Sequence, residues 1–411
     1  MSFIVTGWLF TNTFISRIYD VSIMSPKPPY SITDKSRIEQ LKTLLKNRER
    51  DEHIALLYDD DADGLTAGVF AYHGLKKLGF TNITTCPKAE DRQTYSSAFL
   101  QNLSSMEVKT IVCVDFEPIS WKLASPAKIV EHGFDVIIID HHFDQTELYD
   151  NLNTQNEQDI LFIHPLNTTN SDNASQYCCA KFVYDVFSEI VDISEFRWKQ
   201  AIGIIGDMNI IKWGDFTRDL LAEFGTKISD GDRKAFFTCP YGIMANTIGF
   251  AASQNSDDVE DFFQSYVNAK TVEELLPYVE KYKHVEEEFY YFIDNWEKYA
   301  TYDETHKLYF VRLELKNMLA GLVSSVISYI NYDYSFCFYQ HNKQKSYHMS
   351  MRSQRGEVHL GKLLQHVASK FKNANGGGHA PAAGGICNES NFDEFVERIK
   401  ESFDKFKIEK D

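Results

Sequence analysis

The run Asp59-Asp60-Asp61-Ala62-Asp63-Gly64 carries acids at alternate positions, and like charges this close are held together most simply by a cation. It follows the apolar stretch Ile54–Tyr58 and opens onto the apolar residues 65–72. A buried strand therefore delivers the carboxylates at its end, and a helix leaves immediately after them. A calcium loop also begins D-x-D-x-D-G, but it needs a glutamate at its twelfth position, which counted from Asp59 is Phe70. What remains is an oxygen-rich divalent-cation site at a strand's carboxyl end, where open parallel sheets place their chemistry. The design recurs where Thr110–Val114 ends in Asp115 and where Asp135–Ile139 ends in Asp140-His141-His142. Asp207 follows Gly203 and Gly206 in a helical stretch. Asp59, Asp61, Asp63, Asp115, Asp140, His141, His142 and Asp207 together supply a carboxylate and imidazole mixture suited to manganese and tolerant of magnesium. Two such ions about 3.5–4 Å apart would activate water and stabilise a leaving oxygen in phosphoester hydrolysis.

A second constellation lies near the C-terminus. Gly376-Gly377-Gly378 permits backbone shapes closed to other residues and lets amides approach a ligand, so it reads as an anion-gripping turn. His379 beside it can donate to an anionic oxygen. Arg352, on a predicted strand, offers a fork that matches phosphate geometry, with Lys88 and Arg92 as weaker candidates for the same work.

The elements that must position these groups alternate as short apolar runs and helical segments, the pattern of a parallel sheet with helices on both faces. A first helix is predicted over 34–47 and further ones over 174–191 and 194–211; a fourth apolar run, Ile160-Leu161-Phe162-Ile163-His164, ends at Pro165. The stretch 257–302 is charged and helical and reads as a solvated linking helix packed on both domains. Strands at 308–315, 335–340 and 346–352, with helices at 319–330 and 359–371, make a second, smaller α/β domain. The expected organisation is an extension without fixed structure over 1–30, a catalytic domain over 31–256, the linker over 257–302, and a substrate-binding domain over 303–411.

A chain of 411 residues with 43% hydrophobic and 25% charged residues is long enough for two globular cores. Its formal charge of −17 argues against a broadly basic surface for long duplex DNA and fits a short or single-stranded substrate. Seven cysteines, without any C-x-x-C, suggest reduced thiols in a cytoplasmic setting. The apolar residues 3–15 are too short for a membrane span and lack a secretory start, while Arg17 and the lack of early acids leave organellar targeting by residues 1–23 open.

Asp61-Ala62-Asp63-Gly64, Asp115, Asp140-His141-His142, Asp207 and Gly376-Gly377-Gly378-His379, in this order and spacing, resemble the DHH phosphoesterases that carry a DHH-associated domain, the RecJ and nanoRNase branch. The resemblance runs from about residue 32 to the C-terminus. It implies a two-domain enzyme with its active site in the cleft and two manganese ions. Asp59, Asp61 and Asp115 would hold one ion; Asp63, Asp115, His141 and Asp207 would hold the other. His142 would face the scissile phosphate, oriented by Asp140, while the glycine run, His379 and Arg352 would hold the substrate end. Asp59 stands where many nanoRNase-type members have histidine, which is closer to RecJ. No stretch after His379 is long enough for the oligonucleotide-binding barrel of bacterial RecJ enzymes. The implied activity is an exonuclease on single-stranded DNA or short RNA oligonucleotides, acting alone, as a homodimer or with a replication or repair partner. The alternatives are a small-molecule member acting on a cyclic dinucleotide or bisphosphate nucleotide, a pyrophosphate or polyphosphate hydrolase, and an inactive replication scaffold, against which the intact donor set argues.

Overall fold

The structure, a computed structural model, describes residues 28–88, 96–116, 129, 131–155, 158–342 and 344–408. The N-terminal extension up to residue 27 and Arg92 lie outside these.

Five apolar runs form β1 (Ile54–Tyr58), β2 (Ile83–Pro87), β3 (Thr110–Val114), β4 (Asp135–Ile139) and β5 (Ile160–Ile163). They pair in parallel in the order β2-β1-β3-β4-β5. Helices α1 to α6 span Ser36–Lys46, Ala62–Lys77, Ser97–Ser105, Thr146–Gln155, Cys179–Ser188 and Gln200–Gly206. In β1, Ile54, Leu56 and Tyr58 face a core shared with α2, α5 and α6, while Ala55 and Leu57 face one shared with α3 and α4. Burial on both faces is why these strands read as unbroken hydrophobic runs. The chain order reverses between β1 and β3, the place where such a sheet opens a crevice at its carboxyl edge.

Helices α7 to α10 span Ile210–Glu223, Pro240–Ala252, Ser256–Asn268 and Lys283–Asn295. The stretch read as one linking helix is therefore broken into several, and it buries apolar stripes as a helix packed on its neighbours must. Val259, Phe262, Phe263 and Tyr266, spaced i, i+3, i+4 and i+7, bury one stripe of α9, and Val285, Phe289 and Phe292 do the same in α10.

The second sheet is mixed, with strands β6 (Ala300–Asp303), β7 (Leu308–Arg312), β8 (Ser335–His341), β9 (Ser346–Ser353), β10 (Asn375–Gly378) and β11 (Ala382–Asn388) in the order β10-β11-β9-β8-β7-β6. Helix α11 (Ala320–Ile330) covers the face bearing Phe336 and Phe338. Helices α12 (Leu360–Ala368) and α13 (Phe392–Ser402) cover the face bearing Met349 and Met351. The glycine run is a strand here, not the turn expected from its composition: Gly376 pairs with Gly385 and Gly377 with Gly384, so the sheet ladder takes up the backbone. All seven cysteines are buried and free, and among the described residues no helix is long and apolar enough to cross a membrane.

Candidate metal centre

Tyr58 of β1 lies opposite Pro87 and Val114, Val114 opposite Ile139, and Ile139 opposite Ile163. The residues that follow these positions, Lys88, Asp59, Asp115, Asp140 and His164, thus form one row across the carboxyl edge of the sheet. Hydrogen bonds carry the ladder into this row: the amides of Lys88, Asp115 and Asp140 donate to the carbonyls of Tyr58 (2.6 Å), Ile139 (3.1 Å) and Ile163 (3.2 Å). Asp115 does so at φ 65°, a left-handed conformation uncommon outside glycine and found where the surroundings over-determine the backbone.

Helix α2 begins inside the acidic run. Asp61 is its N-cap, its Oδ1 accepting the amides of Asp63 and Gly64 at 2.9 Å each. Asp63 points across to the first turn of α5, where Oδ2 accepts the Cys179 amide at 2.7 Å and Oδ1 the Ala180 amide at 2.8 Å. An acid at a helix N-terminus meets unsatisfied amides and the positive end of the helix dipole. Asp207 caps the far end of α6 and accepts a hydrogen bond from the Asn209 side chain. Gly206 lets that end sit against α2, since a Cβ there would lie 2.4 Å from the Cβ of Ala62.

Two groups of donor atoms result, each within 4.8 Å of one another: Asp115, His141 and His142, and Asp63, His141 and Asp207. Oxygens bound to one cation at about 2.0–2.6 Å lie no more than roughly 5 Å apart, so both groups have the right size. Asp115 Oδ1 is buried 3.4 Å from His141 Nε2 and has no hydrogen-bond partner among the described residues. Burial and the neighbouring acids push Asp63 up to about 7 despite its amides, and raise Asp115 and Asp207 well above the usual carboxylate range. Burial, then the charge of His142, pushes His141 down to about 3, leaving it a neutral imidazole fit to ligate. Orphaned lone pairs and mutually repelling carboxylates beside a neutral imidazole are what a divalent cation satisfies, so the residues fit one.

His142 Nδ1 lies 2.8 Å from Asp140 Oδ1. Burial would lower His142, but Asp140, then Asp59 and Asp61, push it up to about 9; burial would raise Asp140, and His142 holds it low instead. Asp59 and Asp61 stand outside both donor groups. Asp59 accepts from Lys88 Nζ through Oδ2 at 2.6 Å and from the Asp60 amide through Oδ1 at 2.8 Å. Burial would lower Lys88, and Asp59 outweighs it to keep the ammonium charged.

The β10–β11 hairpin faces this edge. Its tip carries His379, exposed, with its ring centroid 5.8 Å from that of Phe143, the residue after His142. The N-terminus of α12 holds the tip: the amides of Leu360 and Gly361 donate to the carbonyls of Ala380 (3.1 Å) and His379 (3.0 Å). Gly361 is needed for this, because a Cβ there would meet the Gly378 carbonyl oxygen at 1.9 Å. Arg352 pairs across with Ala382, whose carbonyl accepts the His379 amide, so both side chains start from one end of the hairpin. The guanidinium donates to the Met351 carbonyl at 3.0 Å, and burial alone pulls it down to about 10, with no carboxylate among the described residues answering it. Gly376, Gly377 and Gly378 build the hairpin: a Cβ on Gly376 would crowd Leu364 of α12, one on Gly378, at φ 135°, would meet the β11 backbone at Ala382 and Ala383, and Gly377 has open space beside it.

Sequence reasoning missed the amides of Cys179 and Ala180, Asn209 and His164, and gave Lys88 a lesser part. His164 is buried beside the row, where its one sequence signal was its place at the end of an apolar run.

The N-terminal domain of the DHH family matches residues 53–204 of this chain, and the DHHA1 domain matches residues 313–405. The chain belongs to the DHH family and carries the DHHA1 domain as its second unit. Three solved structures share the fold. The first is RecJ of Thermus thermophilus in complex with Mn2+, 16% identical with a TM-score of 0.62 over 90% of this chain and 55% of that one. The second is the DHH domain of a member of the s1p family of ribosomal proteins, 15% identical with a TM-score of 0.68 over 91% and 92%. The third is an exonuclease RecJ bound to manganese, 16% identical with a TM-score of 0.59 over 93% and 97%. This chain thus spans just over half the length of the Thermus protein. A comparison with curated protein sequences returns no match.

Proposed function

We propose that the protein is a manganese-dependent phosphodiesterase that releases nucleotides from an end of single-stranded DNA or short RNA oligonucleotides. One observation carries this reading: a buried acid and imidazole cluster with an orphaned Asp115 oxygen faces the tip of a hairpin beside which β9 places Arg352, a guanidinium without an acid partner among the described residues. A cation cluster opposite an unanswered arginine suits a phosphodiester, which needs its charge held on two sides. The fold shared with manganese-bound RecJ structures supports the choice of ion and substrate class.

When bound, divalent cations supply an activated water and charge stabilisation at phosphorus. Asp63, Asp115, His141 and Asp207 would hold them, with Asp59 and Asp61 completing the set. The Cys179 and Ala180 amides immobilise Asp63, so its carboxylate needs no reorganisation on loading. Asp140 fixes the ring of His142 through Nδ1 and keeps it cationic at neutral pH, leaving Nε2–H to donate to a phosphate oxygen. Arg352 and His379 grip the terminal phosphate from the opposite wall.

The test is one panel of labelled single-stranded DNA, short RNA, cyclic dinucleotide and pyrophosphate, each with Mn2+ and with chelator. Stepwise shortening of the oligonucleotides only with Mn2+ is the expected result. Turnover confined to the cyclic dinucleotide would reassign the protein to small-molecule chemistry, and turnover of none would overturn the reading.

A further inference from the structure

Lys88 is built into the edge of the cleft from three sides. Its amide donates to the Tyr58 carbonyl, which carries the β1–β2 ladder one residue further and delivers the side chain beside Asp59. Its ammonium lies 2.6 Å from Asp59 Oδ2 and 5.7 Å from the centre of the buried Phe116 ring. The two side chains of the pair are only 19% and 9% exposed, so water does little to screen it. With Oδ1 of Asp59 accepting the Asp60 amide, both oxygens are engaged, and one of them by a full positive charge.

The contrast is with Asp63, whose oxygens also accept hydrogen bonds, but from neutral amides. An amide occupies one lone pair and leaves the other for a ligand, whereas an ammonium repels any second cation that approaches the same oxygen. The chain thus offers a divalent ion two unlike places. One is the donor group of Asp63, His141 and Asp207, whose carboxylates accept from neutral amides; the other, in the ligand set proposed above, needs Asp59, which stands outside both donor groups and is already neutralised by Lys88.

We infer that Lys88 is a resident counter-ion for Asp59 that makes the chain load its two divalent ions unequally. The place formed by Asp63, His141 and Asp207 fills first, and the place that uses Asp59 fills only by displacing the ammonium. This rests on the reading of the cleft as a metal centre, and the experiment separates the two.

Mn2+ titrated into the full chain by isothermal calorimetry should show one tight ion and a second bound at least about tenfold more weakly, the size of one charge-assisted hydrogen bond. Lys88→Met should tighten the second ion by about tenfold and leave the first unchanged, while Lys88→Arg should keep the gap. Electron paramagnetic resonance gives an independent readout: the signal of a coupled Mn2+ pair should appear at a lower ratio of metal to protein in Lys88→Met. Two equally tight ions in the unsubstituted protein would overturn the inference whether or not Lys88→Met folds. An unchanged second ion in a folded Lys88→Met would do the same. No Mn2+ binding by any of the three proteins would overturn the metal centre itself, and this inference with it.

Discussion

Chelation should cost this protein more stability at pH 8 than at pH 5, and the carboxyl groups of the cleft set the size of the difference. Asp63 is buried, and its pKa in the fold rises from 3.8 to about 7. A carboxyl raised in this way contributes stability that is fully present below the unfolded value and is lost as pH rises through the folded one. Between pH 5 and 8 the metal-free protein should therefore lose about 3 kcal/mol through Asp63 alone. Asp115 and Asp207 push in the same direction. If the N-terminal unit melts on its own, that loss lowers Tm by roughly 6–12 °C. Mn2+ reverses the sign, because ligands bind it deprotonated and binding tightens as pH rises. His73, pushed down to about 4 by burial and then by Lys199, contributes an opposing slope below about pH 6.5. That slope is common to both conditions, so the difference between them isolates the cleft. The assay is a set of thermal melts from pH 5 to 8.5 with chelator and with saturating Mn2+. A manganese increment in Tm that is the same at pH 5 and pH 8 would refute the reasoning.

Other substitutions separate chemistry from folding. Asp61→Asn should abolish hydrolysis with little change in Tm, whereas Asp61→Ala should also lose the cap of α2, about 1 kcal/mol in a denaturant titration. His141→Ala, which removes the donor common to both groups, should abolish hydrolysis and Mn2+ binding by calorimetry while circular dichroism stays native. Arg352→Ala should raise KM for oligonucleotides at least tenfold with kcat nearly unchanged, since the guanidinium lies outside the metal cluster; a kcat loss at constant KM would count against its role. Gly361→Ala forces a Cβ against the Gly378 carbonyl and should displace the hairpin tip, raising KM while leaving Mn2+ affinity intact.

Much of the centre was legible because its parts sit where sequence patterns are strongest. A strand buried on both faces is a run of apolar residues, and Asp59, Asp115 and Asp140 are each the first polar residue after such a run. Asp61 could be read as opening a helix because caps have a residue signature. The hairpin could not be read this way: four consecutive residues of β10, Asn375–Gly378, carry no alternating side chains, so composition favoured a turn and only pairing with β11 makes a strand. The amides of Cys179 and Ala180 have no sequence signal at all, since any residue supplies an N–H. Lys88 was underrated because its partner is fixed by the register between β1 and β2, which a single strand does not reveal. The linking segment reads as packed, as the stripe Val259, Phe262, Phe263 and Tyr266 requires, but its continuous charge hides the breaks between Asn268 and Lys283.

The amides of Lys88, Asp115 and Asp140 are tied to carbonyls of neighbouring strands, so the crucible is cast before any ion arrives. On the function proposed above, withdrawing the cation would then stop turnover while leaving the protein folded, and its return would restore turnover at the pace of diffusion instead of refolding.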